Sequence, residues 1–245
     1  MILSENKAAS EATRPWTGNE LTRRRAQATF AAMAELERLI LVRHGETTGQ
    51  SSIRYYGATD VPLSFLGRDQ ARAAAARIPG ETFETVWASS LSRSWQAARI
   101  IAPRHPIRLE HDFREIDFGR WEGLTRQEIE AMDPALFADW QRGGEDFAFP
   151  EGETRAGFRA RVEQGLGRLR GSGVRSVLVV AHKGVVRTLL ELVSGQTLPP
   201  ELPALGDVVQ VSRNARGAWE TGRRASDPQQ GEEPIGVPLQ SPPEH

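Results

Sequence analysis

Leu39-Ile40-Leu41-Val42-Arg43-His44-Gly45-Glu46-Thr47 is the stretch on which the fold turns. Its first half is a short apolar run containing Ile and Val, the pattern of a strand buried on both faces. The run gives way at once to charged and polar residues around a glycine. Val177-Leu178-Val179-Val180-Ala181 repeats the arrangement and runs into His182-Lys183-Gly184. In open α/β sheets the reactive groups collect at the carboxyl ends of strands, where loops and helix N-termini converge. Two histidines that each leave a buried strand, one preceded by Arg43 and both followed closely by glycine, therefore mark a candidate site. For either histidine alone, an ordinary strand-end residue satisfied by backbone is as good a reading; the pair weighs against it.

Outward from these two strands, helix and strand signals alternate. Ser64 caps a helix that runs through an alanine-rich stretch to Ile78 and stops at Pro79-Gly80. Thr85–Ala88 reads as a strand, Leu91–Ala102 as the helix after it, and Ile107–Leu109 as a third strand. Thr125-x-x-Glu128 is a capping box opening a short helix. Phe158, Val162, Leu166 and Leu169 recur at helical spacing within a helix over Glu153–Leu169, and Val185–Ser194 follows the Val177 strand as another. Val208–Ser212 and Ala218–Thr221 close the sheet as a hairpin. The expected fold is a three-layer α/β/α domain with a mostly parallel central sheet.

Composition narrows the function classes. The 245 residues carry a formal net charge of −1, with 39% hydrophobic and 26% charged residues. Such balance argues against a non-specific nucleic-acid binder or a membrane-surface protein, which usually need a basic excess. Zero cysteines exclude a disulfide scaffold, a thiolate metal site and a cysteine nucleophile. No apolar run approaches a bilayer span, and the N-terminus has no apolar leader stretch, so the expectation is a cytoplasmic protein. Residues 1–32 carry +2, residues 33–224 carry +1, and the proline-rich residues 225–245 carry −4. The tail reads as disordered. Residues 1–32 read either as a dispensable extension before Met33 or as part of a loosely packed helix over 19–36. The catalytic domain is expected over 33–224.

Only Lys7 and Lys183 are lysines, which leaves 29 arginines, so a lone arginine carries little weight. Arg93 earns notice by its place just inside the helix after the second strand. With Arg43, His44 and His182 it makes a cationic cluster suited to a dianionic group, since guanidinium forks match phosphate oxygens. The acidic partner lies in Phe113-Arg114-Glu115-Ile116-Asp117-Phe118-Gly119-Arg120-Trp121-Glu122. Glu115, Asp117 and Glu122 are all candidate proton donors, and the residues themselves do not choose among them.

These blocks together resemble the histidine phosphatase superfamily, which includes the cofactor-dependent phosphoglycerate mutases. After Leu41–Thr47 come Gly57-x-x-Asp60-x-Pro-Leu-Ser64-x-x-Gly67-x-x-Gln70 and Ser90-x-Leu-x-Arg93-x-x-Gln96. Then come Arg114-Glu115-x-x-Phe-Gly-x-Trp-Glu122-Gly, Pro150-x-Gly-Glu-Thr154 and Ala181-His182-x-Gly-Val-Val-Arg187. The resemblance spans roughly residues 38–213 and implies a phosphoglycerate mutase-like fold. It implies His44 as phosphate acceptor, Arg43, Arg93 and His182 around the phosphoryl group, Glu115 as proton donor, and neither metal nor cofactor. Gln50, Tyr56, Gly57 and Lys183 fall at substrate-binding places. Gln50 stands where Asn is usual and carries its amide one methylene further. Tyr56 replaces a small hydroxyl residue of the mutases and crowds a second phosphate. Lys183 adds charge for a polyanionic substrate or simply faces solvent.

Only 22 residues separate Arg93 from Glu115, short of the covering segments that mutases carry. The expectation is a phosphatase for small phosphomonoesters acting without metal. A mutase, or an inactive module that binds a phosphorylated ligand, is the alternative. Nucleic-acid and membrane partners are not expected, and oligomeric state and substrate stay open. Trp87, Trp95, Trp121, Trp140, Phe147 and Phe149 either line the entrance or fill the core, with core preferred for Trp87. His105, His111 and His245 read as surface residues.

Overall fold

A computed structural model describes residues 35–78, 83–144 and 146–224. The expectations for residues 1–32, the Pro79-Gly80 stop, the tail and His245 lie outside them. The elements run β1 (Arg38–Arg43), α1 (Phe65–Arg77), β2 (Thr85–Ser89), α2 (Ser92–Ile101) and β3 (Ile107–Glu110). Next come α3 (Arg126–Met132), α4 (Pro134–Arg142), α5 (Arg155–Gly171), β4 (Ser176–Ala181), α6 (Lys183–Ser194), β5 (Val208–Arg213) and β6 (Trp219–Arg224). The strands form one sheet in the order β3-β2-β4-β1-β5-β6. The pairs β3-β2, β2-β4 and β4-β1 are parallel, and β1-β5 and β5-β6 are antiparallel, so the sheet is mostly parallel and ends in the expected hairpin.

Period-two alternation divides the core in two. Leu39, Leu41, Val177, Val179 and Ala181 face α5, α6 and the aromatic segment after β3. Ile40, Val42, Leu178 and Val180 face α1 and α2, whose buried alanines 71, 74, 97 and 98 let the helices lie close to the sheet. A strand with helices over both faces must be apolar at every position, which is why β1 and β4 stand out in the sequence.

Caps set the helix starts that border the site. Ser64 accepts a hydrogen bond from Gly67 N, and Thr125 with Glu128 forms both arms of the capping box. Leu91 at the N-cap of α2 has no side chain for the task, and Asp60 Oδ1 accepts from Ser92 N at 2.7 Å instead. α4 escaped the sequence reading because its nine residues bury a single side chain, Phe137. α6 starts at Lys183 rather than Val185, because His182 itself takes the extended N-cap conformation and the glycine enters the first turn. Among the described residues no helix is long and apolar enough to cross a membrane.

Candidate active site

The parallel register of β1 on β4 pairs Arg43 with Ala181, so the two histidines leave the sheet side by side. His44 N donates to Ala181 O at 2.9 Å, and the two imidazoles meet edge to face with centroids 5.1 Å apart. Both rings are buried. His44 Nδ1 lies 2.6 Å from Gly45 O. A carbonyl only accepts, so Nδ1 carries the proton and Nε2 keeps its lone pair. Burial, then the charges of Arg93 and Arg43, hold this imidazole well below the usual histidine range.

His182 takes the opposite tautomer. Arg93 Nε donates to its Nδ1 at 3.3 Å, and a guanidinium has no acceptor, so the proton sits on Nε2. That nitrogen faces Ser89 Oγ at 2.9 Å and Ser94 Oγ at 3.3 Å. Burial first, then Arg93, keeps His182 neutral as well. The cationic cluster is therefore two arginines around two neutral imidazoles, first because burial disfavours a charged ring and then because the buried guanidinium groups repel a further positive charge.

Arg93 is fully buried, and its fork is largely engaged by protein. Nη1 donates to Thr59 O at 2.8 Å, and Nη2 donates to Tyr56 O and Gly57 O at 3.1 and 2.7 Å. With Nε on His182, one N–H of Nη1 is left over. The same turn is held from the other side by Glu122, whose carboxylate accepts from the N–H groups of Gly57, Ala58, Thr59 and Phe118 at 2.9–3.3 Å. Gly57 has no room for a side chain there, since a Cβ would stand 1.7 Å from Ile116 O. Arg43 Nη1 donates to Pro203 O at 2.9 Å, which ties the guanidinium to the loop before β5.

These contacts separate the three carboxylates that the residues alone left equal. Glu122 is filled by backbone donors, and Asp117 Oδ1 accepts from Gly119 N at 2.8 Å within its own turn. Glu115 is buried, with Oε1 accepting from Ile116 N and Oε2 from Gly184 N, both at 3.0 Å. Gly184 is the second residue of α6, so this N–H is one of the helix's orphan donors. The structure thus brings Arg43, His44, Arg93, Glu115 and His182 into one buried constellation.

The other expected residues sit around it. Gln50 is exposed in the left-handed region (φ 62°), where Asn is better tolerated than Gln. Tyr56 is half-buried and packs its ring against Gly49, where a Cβ would approach Cε2 to 2.6 Å. Lys183 is half-buried as the first residue of α6. Trp121, Trp140, Phe147 and Phe149 form one aromatic cluster with Tyr55 and Phe118, in which Trp121 and Phe149 are core and Trp140 and Phe147 pack against it half-buried. Trp87 is buried as expected, Trp95 is partly exposed, and His111 is exposed while His105 stacks on Phe83. Among the described residues no group of three or more His, Asp or Glu side chains is placed to hold a metal ion.

Several supporting residues were given no role in the sequence analysis. Glu46 receives Thr47 N, Ser51 Oγ and Ser52 N and so holds the loop after His44. Gln70 and Gln96 accept from Glu46 N and Leu63 N. Ser89 and Ser94 touch His182, and Arg161 with Glu153 braces the Glu115 segment. Most of these contacts reach backbone atoms, which leave no trace in residue types.

The geometry has counterparts in known proteins. A 2-carboxy-D-arabinitol-1-phosphatase of Triticum aestivum is 30% identical over 174 residues, 70% of this chain, though the match spans only about a third (35%) of that protein. A glucosyl-3-phosphoglycerate phosphatase of Mycolicibacterium vanbaalenii is 29% identical over 201 residues, 76% of this chain and 89% of that one. The crystal structure of the α-ribazole phosphatase from Shigella flexneri superposes with a TM-score of 0.64 at 26% identity, covering 77% of this chain and 95% of that one. All three are phosphatases, hydrolases of phosphate esters, with different named substrates. The family model of the histidine phosphatase superfamily (branch 1) matches residues 39–231, and this chain belongs to that superfamily.

Proposed function

We propose that the protein is a metal-independent phosphatase of small phosphomonoesters that works through a phosphohistidine on His44. The observation that carries this reading is the Nδ1–H bond to Gly45 O, which leaves a neutral imidazole with its Nε2 lone pair available between two arginines. In the first step Nε2 attacks phosphorus, the bond to the ester oxygen breaks, and Glu115 gives its proton to the departing alkoxide. Water then attacks phosphorus, Glu115 takes the water proton, and the N–P bond breaks to release inorganic phosphate. Arg43 and Arg93 hold the charge spread over the equatorial oxygens, a task that two-cation sites perform in other phosphoryl-transfer enzymes. His182 fixes the Nε of Arg93 and borders the phosphoryl group. Gln50, Tyr56, Gly57 and Lys183 border the substrate, Gln50 at the place of a phosphate contact and Tyr56 disfavouring a second phosphate. Relatives with three different named substrates support the class of ester and not one compound.

Turnover of p-nitrophenyl phosphate in the presence of EDTA tests the reading. Undiminished hydrolysis, with trapping of acid-labile phosphate on His44, is the expected result. Activity lost to EDTA, or a His44→Ala protein as fast as wild type, overturns it. Incubation with 3-phosphoglycerate should yield free phosphate, and accumulation of 2-phosphoglycerate would instead mark a mutase.

A further inference from the structure

Arg161 lies on α5, outside the histidine and arginine constellation, yet every one of its five N–H groups has an acceptor. Nε donates to Glu153 Oε1 at 2.7 Å, and Nη2 donates to Glu153 Oε2 at 2.8 Å. The other three reach one short stretch of backbone. Nη1 donates to Asp112 O at 2.9 Å and to Arg114 O at 2.7 Å, and Nη2 donates to Glu115 O at 2.9 Å. Glu153 adds a second hold just beyond, since its N–H donates to Asp117 O at 3.0 Å. Both side chains are largely buried, at 18% and 20% exposure, so the pair is screened far less than a surface bridge. The guanidinium also stacks over Phe158, with Cζ 4.8 Å from the ring centroid.

The segment from Asp112 to Asp117 has no sheet or α-helix ladder of its own, only a single 3-10 turn at His111–Phe113. Its carbonyls would otherwise be unsatisfied indoors, and a looser arrangement would let the carboxyl of Glu115 drift. The carboxyl end is held by Gly184 N and Ile116 N, and the carbonyl side by Arg161. We infer that Arg161, oriented by Glu153, is a positioning residue for the proton donor: it fixes the backbone of residues 112–115 so that the Glu115 carboxyl meets the leaving oxygen. The inference rests on the proposed role of Glu115.

Proton donation matters little for a good leaving group and greatly for a poor one, and this separates positioning from mere structural support. The test compares kcat/KM for p-nitrophenyl phosphate with that for glycerol 2-phosphate in wild type, Arg161→Lys, Glu153→Gln, Glu115→Gln and the Arg161→Lys/Glu115→Gln pair. Lysine keeps the charge and loses the fork, which guards against an unfolded protein, and thermal melting checks each variant. Arg161→Lys is expected to lose about tenfold on p-nitrophenyl phosphate and about 10²–10³-fold on the alkyl ester, the direction of Glu115→Gln. In the double variant the alkyl-to-aryl ratio should stay where Glu115→Gln alone puts it. An equal loss on both esters, or a ratio unchanged in Arg161→Lys while Glu115→Gln shifts it, overturns the inference alone. A ratio unchanged in Glu115→Gln overturns the donor role and the inference with it.

Discussion

Gly184→Ala is the smallest change that should disable this site without loosening the fold. An ideal Cβ at residue 184 stands 2.4 Å from Glu115 Oε1 and 3.3 Å from Cδ of the same carboxyl. Ordinary carbon–oxygen contact is about 3.3 Å, so the oxygen must retreat by about 1 Å. The methyl itself cannot swing away, because Phe158 Cζ lies 3.1 Å from it and that ring is buried in the core. A displacement of ~1 Å in a reacting group costs on the order of 10²-fold in rate. Stability should hardly change: alanine in place of glycine inside a helix gains up to about 1 kcal/mol, which offsets the strain on the Glu115 hydrogen bond. The expected protein melts within a few degrees of wild type. Its kcat/KM for an alkyl phosphate falls about 10²-fold, and its p-nitrophenyl phosphate turnover falls less. An alanine variant that hydrolyses the alkyl ester within threefold of wild type would refute the placement of Glu115 as donor against α6.

Three other outcomes follow from the same contacts. His44 and His182 are neutral when folded, with pKa values held well below the ordinary 6.5, while in the unfolded chain they protonate near that value. The unfolded state therefore binds more protons as pH falls below 6.5, and stability drops by up to about 1.4 kcal/mol per pH unit for each histidine. Urea melts between pH 6.5 and 5, above the carboxylate range, should show this slope, and a His44→Gln protein should show roughly half of it; a flat profile contradicts the buried tautomers. Glu122→Gln keeps an acceptor for Gly57, Ala58 and Phe118 at one oxygen but sets its NH2 against Thr59 N–H at the other and removes the charge, and it should cost about 1–3 kcal/mol by denaturation, with slower turnover as the turn loosens around Arg93. A change under 0.5 kcal/mol would count against the carboxylate as organiser of that turn. Ser94→Ala leaves His182 its shorter contact to Ser89 and should be mild, whereas Ser89→Ala/Ser94→Ala strands a buried N–H at about 1–3 kcal/mol and frees the tautomer, visible in the imidazole ¹⁵N shifts.

The sheet could be read directly because burial on both faces makes residues 39–42 and 177–181 unbroken apolar runs before Arg43 and His182. Ser64, Thr125 and Glu128 announced helix starts because capping is local chemistry. α4 could not be read this way, since Trp140 packs against Tyr55 and Trp121, which lie far from it in the chain. The same distance effect governs the site. Strand ends located His44, His182 and Arg93, but Glu115 separates from Asp117 and Glu122 only through Gly184, 69 residues on. The neutrality of His182 was equally hidden, since it depends first on burial and then on the guanidinium of Arg93, and only the folded chain decides both.

What joins these observations is that four of the five chemically able side chains take a main-chain partner, while His182 is held by the side chains of Arg93, Ser89 and Ser94. Gly45 O orients His44, Pro203 O takes Arg43, three carbonyls take Arg93, and Gly184 N takes Glu115. Fixed peptide dipoles of this kind need no reorganisation when charge develops, which is the condition for strong electrostatic stabilisation. They also demand that backbones come close. The glycines beside the site meet that demand: a Cβ on Gly45 would strike Gly67 O at 2.4 Å, and one on Gly67 would strike Glu46 O at 1.9 Å. The glycines and the charged residues are thus one requirement seen twice. A reactive group gains its direction from a main-chain partner, and at Gly45, Gly57 and Gly184 that partner comes close because a side chain has been left out.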